Sequence, residues 1–358
     1  MEKVMSRKLI TISTIMTLMS TSVIADVPNV AADIAPIHSL VSRVMDGVGA
    51  PKLIVQSGAS PHGYRLRPSE AKALQDADHV FWMGEELTPW LDSAIDTLST
   101  KASVTTLLDQ EGVILHDFRE GALFEAHDHS AHGDDDHDDH KDHDDHDDHD
   151  DHDDHKDHDD HDDHDDHDEH DDHDNHKDHD DHDGHEDHGS HDPHAWLSPE
   201  NAKLWLNIIA SKLSVSDPEN AATYFMNAAA GQAEIEAMIA EVKATLKPVQ
   251  GGKFVVFHDA YQYFENDFDF YASGAISLGD SSDPSPARIE KVQKRIRDEG
   301  IQCVLAEPQF KKGLVATVME GSDATASVID PLGAELETGP KLYTRLIKNM
   351  AKTLRNCL

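Results

Sequence analysis

The stretch from Asp134 to His191 constrains everything around it. It runs as His-Asp-Asp with an occasional Lys, Glu, Asn or Gly, and histidine recurs at every third position. No apolar side chain interrupts it, so it has nothing to bury and cannot offset the entropy of being ordered. The composition therefore predicts a disordered, acidic, imidazole-rich loop over about residues 127–192, and tracts of this kind bind metal ions. Its candidate auxiliary ligands are His137, His140, His143, His146, His149, His152, His155, His158, His161, His164, His167, His170, His173, His176, His179, His182, His185, His188 and His191. A flexible strip cannot hold a rigid coordination shell without an ordering cost, so these sites are expected to be numerous, weak and quick to release. The triplet register runs on to His194, where the sequence turns abruptly apolar: His194-Ala195-Trp196-Leu197-Ser198-Pro199.

The formal charge of −41 belongs mostly to this tract, which carries 34 acidic residues against three lysines between Asp128 and Asp192. The remainder carries about −10, an ordinary protein surface. The acidic excess excludes nucleic acid and anionic membrane as natural partners and favours cations. At the start of the chain, Lys3, Arg7 and Lys8 precede an apolar run over residues 9–19, and Val23-Ile24-Ala25 offers small residues before Asp26. This predicts a signal peptide at residues 1–25, with an apolar run too short to span a bilayer well. No cysteine lies near the cut, so lipid attachment there is not expected. The two cysteines, Cys303 and Cys357, form an even pair, which in an oxidising compartment suggests a disulfide in preference to two buried thiols.

Outside the tract, short apolar runs alternate with amphipathic ones. Ile37, Leu40, Val41 and Val44 follow helical spacing within residues 36–45. Residues 52–55 and 79–83 read as strands, 68–76 as a helix, and Leu87, Trp90, Leu91, Ala94, Ile95 and Leu98 as another helix face. Residues 103–107 and 113–115 are further strand candidates. After the tract, Ser198 can cap a helix that has Pro199 at its first position, with Leu204, Trp205, Ile208 and Ile209 as its apolar face. A long helix over residues 217–246 spans about 43 Å, with Gly231 its weak point. The second half repeats the rhythm, with strands at 253–257, 268–272, 303–306 and 327–329 and helices at 286–298, near Val315, and at 341–355. The alternation predicts an α/β fold of two lobes with mostly parallel sheets, joined by one long rigid helix, with a metal site in the cleft between them. The expected boundaries are an N-terminal lobe at 26–216, a linker helix at 217–247 and a C-terminal lobe at 248–358.

In open α/β sheets, ligands bind beyond the carboxyl ends of the strands. His62 follows the strand at 52–55, His258 follows that at 253–257, and Asp330 follows that at 327–329. His194 precedes a helix N-terminus, whose dipole disfavours imidazolium. Each residue taken alone has an ordinary structural reading, as a surface histidine, the last beat of a repeat, a core imidazole or a turn aspartate. Their joint placement points to a metal site. Glu307, at the end of the strand at 303–306, is either a carboxylate orienting an imidazole or a helix-start residue. His79 and His116 are expected to be structural. No His-Glu-x-x-His, Gly-x-Ser-x-Gly, phosphate loop or dinucleotide fingerprint occurs, which weighs against an enzyme.

Several segments carry a resemblance to a known family. These are Gly58-Ala59-Ser60-Pro61-His62, Leu66-Arg67-Pro68-Ser69, His194-Ala195-Trp196-Leu197-Ser198-Pro199, Val255-Val256-Phe257-His258-Asp259-Ala260-Tyr261, Cys303-Val304-Leu305-Ala306-Glu307-Pro308-Gln309-Phe310 and Asp330-Pro331-Leu332-Gly333. In that order the chain resembles the ZnuA-type periplasmic zinc-binding proteins, solute-binding proteins of metal-specific ABC transporters. The resemblance implies His62, His194 and His258 as zinc ligands, with Asp330 or water completing the shell, and a disulfide between Cys303 and Cys357. Histidine at the third position resembles zinc members, whereas manganese members favour a carboxylate there. Pro61 departs from the acidic residue that zinc members often carry before the first ligand. Three imidazoles and one oxygen suit tetrahedral zinc on chemical grounds as well.

The reading is therefore a monomeric periplasmic zinc receptor that serves an inner-membrane ABC permease and its cytoplasmic ATPase. The alternatives are a zinc-dependent hydrolytic enzyme and a metal-buffering or adhesin-like surface protein.

Overall fold

Two four-stranded parallel sheets form the frame of the computed structural model, which describes residues 27–119, 124, 191–277, 284–310 and 312–358. The signal-peptide segment and nearly all of the His/Asp tract lie outside the described residues. In the first lobe, β1 (Val30–Ala32), β2 (Lys52–Leu53), β3 (His79–Trp82) and β4 (Ser103–Thr106) lie in the order β2-β1-β3-β4. Helices α1 (Ala35–Val44), α2 (Pro68–Gln75) and α3 (Pro89–Leu98) connect them. The chain then passes through α4 (Pro199–Ser216) and α5 (Ala221–Leu246) into the second lobe. There β5 (Phe254–His258), β6 (Ala275–Ser277), β7 (Cys303–Ala306) and β8 (Thr325–Val328) take the equivalent order β6-β5-β7-β8. Helices α6 (Gln262–Phe268), α7 (Pro286–Glu299), α8 (Lys312–Met319) and α9 (Leu342–Cys357) complete it.

The linker helix α5 has 26 residues, about 39 Å at 1.5 Å per residue. Its buried positions, Tyr224, Ala228, Gly231, Ile235, Met238, Val242 and Leu246, are spaced by three or four residues, so one continuous stripe faces α4, α1 and α9. Gly231 is a close approach and not a weakness: a Cβ there would lie 2.9 Å from Leu206 Cδ1 and 3.1 Å from Arg43 Cγ. The helix starts at Ala221 and not at residue 217, because the buried Asp217 carboxylate closes the preceding turn. It accepts hydrogen bonds from Asn220 N (3.3 Å), Asn220 Nδ2 (2.8 Å) and Tyr224 Oη (2.7 Å).

Three other expectations are corrected. Residues 113–115 form no strand; the Asn201 amide supplies the pairing a strand would have given, accepting from Ile114 N (2.8 Å) and donating to Ile114 O (2.9 Å). Residues 268–272 alternate like a strand, but Phe268 ends α6. Phe264 and Phe268 pack at a helical i, i+4 spacing with ring centroids 4.7 Å apart, and the left-handed Asp269 (φ 50°) turns the chain toward β6. In α4 the buried face is Ala202, Trp205, Leu206, Ile209, Ala210 and Leu213, rotated from the expected one so that Trp205 reaches Leu107 O. The core strand β1, only three residues long, is too short for its pattern to be read.

One apolar cluster runs through both lobes, from Ile37 and Trp205 through α5 to Phe254, Leu305 and Tyr343. A shared core of this kind restrains relative lobe motion, which would otherwise be the default for two lobes on a linker.

The first lobe also holds a proton-sensitive element. His79, at the start of β3, is buried and stacked on Phe81. Ser216 Oγ donates to Leu213 O, so His79 Nε2–H donates to Ser216 Oγ (2.6 Å) and Nδ1 meets no partner among the described residues. Burial pushes the imidazole below the ordinary 6.5. A lowered folded pKa means that the unfolded chain binds more protons below about 6.5, so stability is lost as pH falls through that value. Replacing His79 by Gln should make unfolding less acid-sensitive. The melting-temperature difference between variant and wild type should shift in the variant's favour from pH 7.5 to pH 5, and a constant difference would contradict it.

Candidate metal centre

Each of three imidazoles is set by a different kind of local structure. His62 lies in the loop after β2, where its N–H donates to Ser60 Oγ (3.3 Å) and the Trp90 indole donates to the adjacent Pro61 carbonyl (2.7 Å). His194 enters a short 3-10 turn, Ala195–Leu197, and Ser198 then caps α4 by accepting from Asn201 N. His258 is the last residue of β5, at the carboxyl end of the second sheet. His194 and His258 are buried and His62 is half-buried.

Carboxylates fix two of the rings. Asp192 Oδ1 accepts from both His194 N (3.0 Å) and His194 Nδ1 (2.6 Å). Glu307 Oε1 accepts from His258 Nδ1 (2.6 Å), while Glu307 Oε2 is held by Gln309 Nε2 (2.7 Å). With the proton on Nδ1 in each ring, His194 and His258 turn bare Nε2 atoms toward each other at 3.4 Å. His62 Nε2 also lies 3.4 Å from His194 Nε2, and the three ligand atoms are all within 4.8 Å of one another. A tetrahedral zinc with Zn–N bonds of about 2.0–2.1 Å sets nitrogen–nitrogen edges of roughly 3.3–3.4 Å, which matches the two close separations. Carboxylate–histidine pairs of this form orient metal ligands and raise their basicity.

Asp330 is not in this group. It closes the turn after β8, with Oδ1 accepting from Leu332 N (3.0 Å) and Gly333 N (2.8 Å) and Oδ2 from Ala334 N (2.6 Å). Both oxygens are therefore engaged by backbone donors. Glu307 takes the orienting position against His258. Asp192 was missed in the sequence because it looks like the last acid of the tract; the only signal is the proline behind it, which breaks the triplet. His116 lies outside the group, with its ring against Tyr263 (4.6 Å) and Nε2 3.1 Å from Asn266 Nδ2. Among the auxiliary histidines only His191 is described. It forms an antiparallel bridge with Asp117, and its Nδ1 lies 2.9 Å from the Asp117 carboxylate.

Beside His258, Arg119 pairs with Asp259 and with Glu265, the latter through Nη1–Oε2 at 2.6 Å. Burial pushes the Glu265 carboxyl up to about 7 against the pull of Arg119, and raises Asp259 as well. Burial also opposes the Arg119 charge, but the two carboxylates outweigh it and hold the guanidinium above its ordinary range. Sequence reading gave no sign of this network, because Arg119 lies 140 residues from Asp259.

Comparison with known proteins covers most of the chain. The chain is 47% identical over 329 residues to the "High-affinity zinc uptake system protein ZnuA" of Brucella abortus, covering 92% of this chain and 91% of that protein. It is 43% identical over 335 residues to the protein of the same name from Paracoccus denitrificans, covering 93% of each. A solved structure described as "Crystal structure of ZnuA" shares the fold at a TM-score of 0.65, covering 93% of this chain and 99% of that one at 18% identity. The family model described as ZnuA, zinc-uptake complex component A periplasmic, matches residues 30–357. The chain belongs to the ZnuA family.

Proposed function

We propose that this chain is the periplasmic receptor of a high-affinity zinc ABC importer, and that it holds the ion on Nε2 of His62, His194 and His258. The observation that carries the reading is the pair of 3.4 Å nitrogen separations about a point that three imidazoles face. Solvent supplies the fourth position, since both Asp330 oxygens are engaged by backbone donors. Zinc is cargo here: the chain captures it, keeps it and gives it up to a permease driven by a cytoplasmic ATPase. Residues 1–25 serve as the export signal, and the receptor works as a monomer.

Three nitrogen donors and a solvent position also describe a hydrolytic zinc site. Among the described residues, the carboxylates that contact these rings, Asp192 and Glu307, are committed to orienting His194 and His258 and are not placed to act as a general base. The relatives are named as parts of zinc uptake systems and not as enzymes.

The tract is read as a low-affinity reservoir that feeds the cleft. Chelator-competition titration of wild type and of a deletion of residues 134–189 tests both halves of the reading. The deletion should keep the tight zinc event, lower the total zinc bound, and slow the rescue of growth only when zinc is scarce. Loss of the tight event would make the tract part of the principal site, and unchanged capacity would remove its reservoir role.

A further inference from the structure

The two ends of the His/Asp insertion are tied to the second lobe through groups adjacent to two of the three imidazoles. On the exit side, Asp192 N donates to His116 O (2.7 Å), and Tyr263 Oη on α6 donates to Asp192 O (2.7 Å). On the entry side, His116 N donates to the same Tyr263 hydroxyl (3.1 Å), and Asp117 bridges His191. Three residues further from His116, Arg119 reaches across to the second lobe. Its Nε donates to Asp259 Oδ1 (3.0 Å) and Oδ2 (3.1 Å), Nη2 also meets Asp259, and Nη1 donates to Glu265 Oε2 (2.6 Å). The Phe124 ring covers the guanidinium at 3.6 Å. Asp259 directly follows His258, and Glu265 lies on the helix that carries Tyr263.

These contacts close a ring: His194 to Asp192, to Tyr263 and Glu265 on α6, to Arg119, to Asp259, and back to His258. The links that cross between lobes are the Tyr263 hydrogen bond to Asp192 and the Arg119 pairs with Glu265 and Asp259. Of these crossing links, only Arg119 grips the residue that directly follows His258. We propose that Arg119 is a positioning residue for zinc, an inter-lobe clamp that fixes His258 at its distance from His194 by gripping Asp259 and Glu265 at once. The proposal rests on the assignment of the three histidines as ligands. A planar guanidinium is suited to the task because its fork reaches two carboxylates in fixed directions, whereas a lysine offers a single point charge. The clamp slows zinc release, since His258 cannot swing away while the fork is in place.

A merely stabilising ion pair would leave the metal site unchanged once its charges were removed together. Removing Arg119 alone would strand two buried carboxylates, so the deciding variant is Arg119→Met with Asp259→Asn and Glu265→Gln, which neutralises all three groups at similar size. Zinc dissociation is followed by chelator chase on the full chain, and the visible absorption of the cobalt(II)-loaded protein is recorded at saturation. The clamp predicts release faster by about tenfold, within the range seen when outer groups that orient metal ligands are lost, together with altered cobalt bands. Arg119→Lys, which keeps the charge and guards against a triple variant that fails to fold, should release zinc several-fold faster. Release rates and cobalt bands like those of wild type in either folded variant would overturn the proposal. His258→Ala serves as the control: if it keeps tight zinc, the ligand assignment fails, whereas its loss of zinc beside unchanged Arg119 variants removes the clamp alone.

Discussion

Zinc titrated against the His258→Ala protein should show no tight binding event, with the affinity of the cleft lowered by more than about 100-fold. Loss of an outer partner that only orients a metal ligand costs 10–100-fold, and removing a ligand itself should exceed that. The fold has already fixed the geometry: His258 is held at the end of β5 with Nδ1 on Glu307, and His194 is held by Asp192. A preorganised site binds tightly because few groups remain to be ordered when the ion arrives. With the third imidazole gone, only two nitrogens 3.4 Å apart remain, fewer protein donors than a tightly held zinc ion takes. Weak multi-ion binding should therefore persist while the tight event disappears. Because truncation leaves the buried Glu307 without its imidazole, the apo protein's melting temperature is measured alongside, and His258→Gln provides a variant with a polar group in the same space. A tight event that survives in both variants would place the principal site elsewhere.

The candidate site was largely legible in the sequence because His194 and His258 stand at element ends and His62 in a turn-rich loop after a strand. His62 and His258 come after apolar runs that read as strands, and His194 is marked by the change from a polar repeat to Ala195-Trp196-Leu197. What pattern could not supply was the choice between a ligand and a turn for Asp330. The same Asp-Pro-Leu-Gly would read identically in both roles, and the three backbone donors on its oxygens show the turn role at work. Asp192 was hidden by composition, since one acid among many carries no signal. Arg119 was invisible for a different reason: its meaning lies in partners brought together by the closing of two lobes. The fold class was readable from alternation, yet the strand expected at 113–115 failed because a side-chain amide from α4 took the place of a neighbouring strand. Local pattern reports what a segment prefers, and it fails where a distant residue supplies the hydrogen bonds.

Removing the Cys303–Cys357 disulfide should cost the apo protein about 2–4 kcal/mol of unfolding free energy while leaving zinc affinity nearly unchanged. The bond closes a sequence separation of 54 residues, for which the chain-entropy model gives roughly 4 kcal/mol, and measured values commonly fall below the model. It joins the buried start of β7 to the last residue of α9. α9 lays Leu342, Leu346, Ile347, Met350 and Leu354 on the shared core, and its other end is pinned to the first lobe, where Tyr343 N donates to Ser39 Oγ (3.0 Å) and Tyr343 Oη donates to Trp196 O (2.9 Å). The disulfide thus secures the end of the helix farther along the chain from those inter-lobe contacts. The metal-facing end of β7 is held independently, through Glu307 and its bonds to His258 and Gln309. Reduction should therefore act on the unfolded ensemble and on the end of α9, and not on the imidazoles. The measurement is a denaturant titration of zinc-free protein, comparing oxidised wild type with Cys303→Ala/Cys357→Ser and with reduced wild type, followed by zinc competition on each. A loss under about 1 kcal/mol would show that packing alone secures α9, and a large drop in zinc affinity would show that the helix end and the metal site are coupled after all.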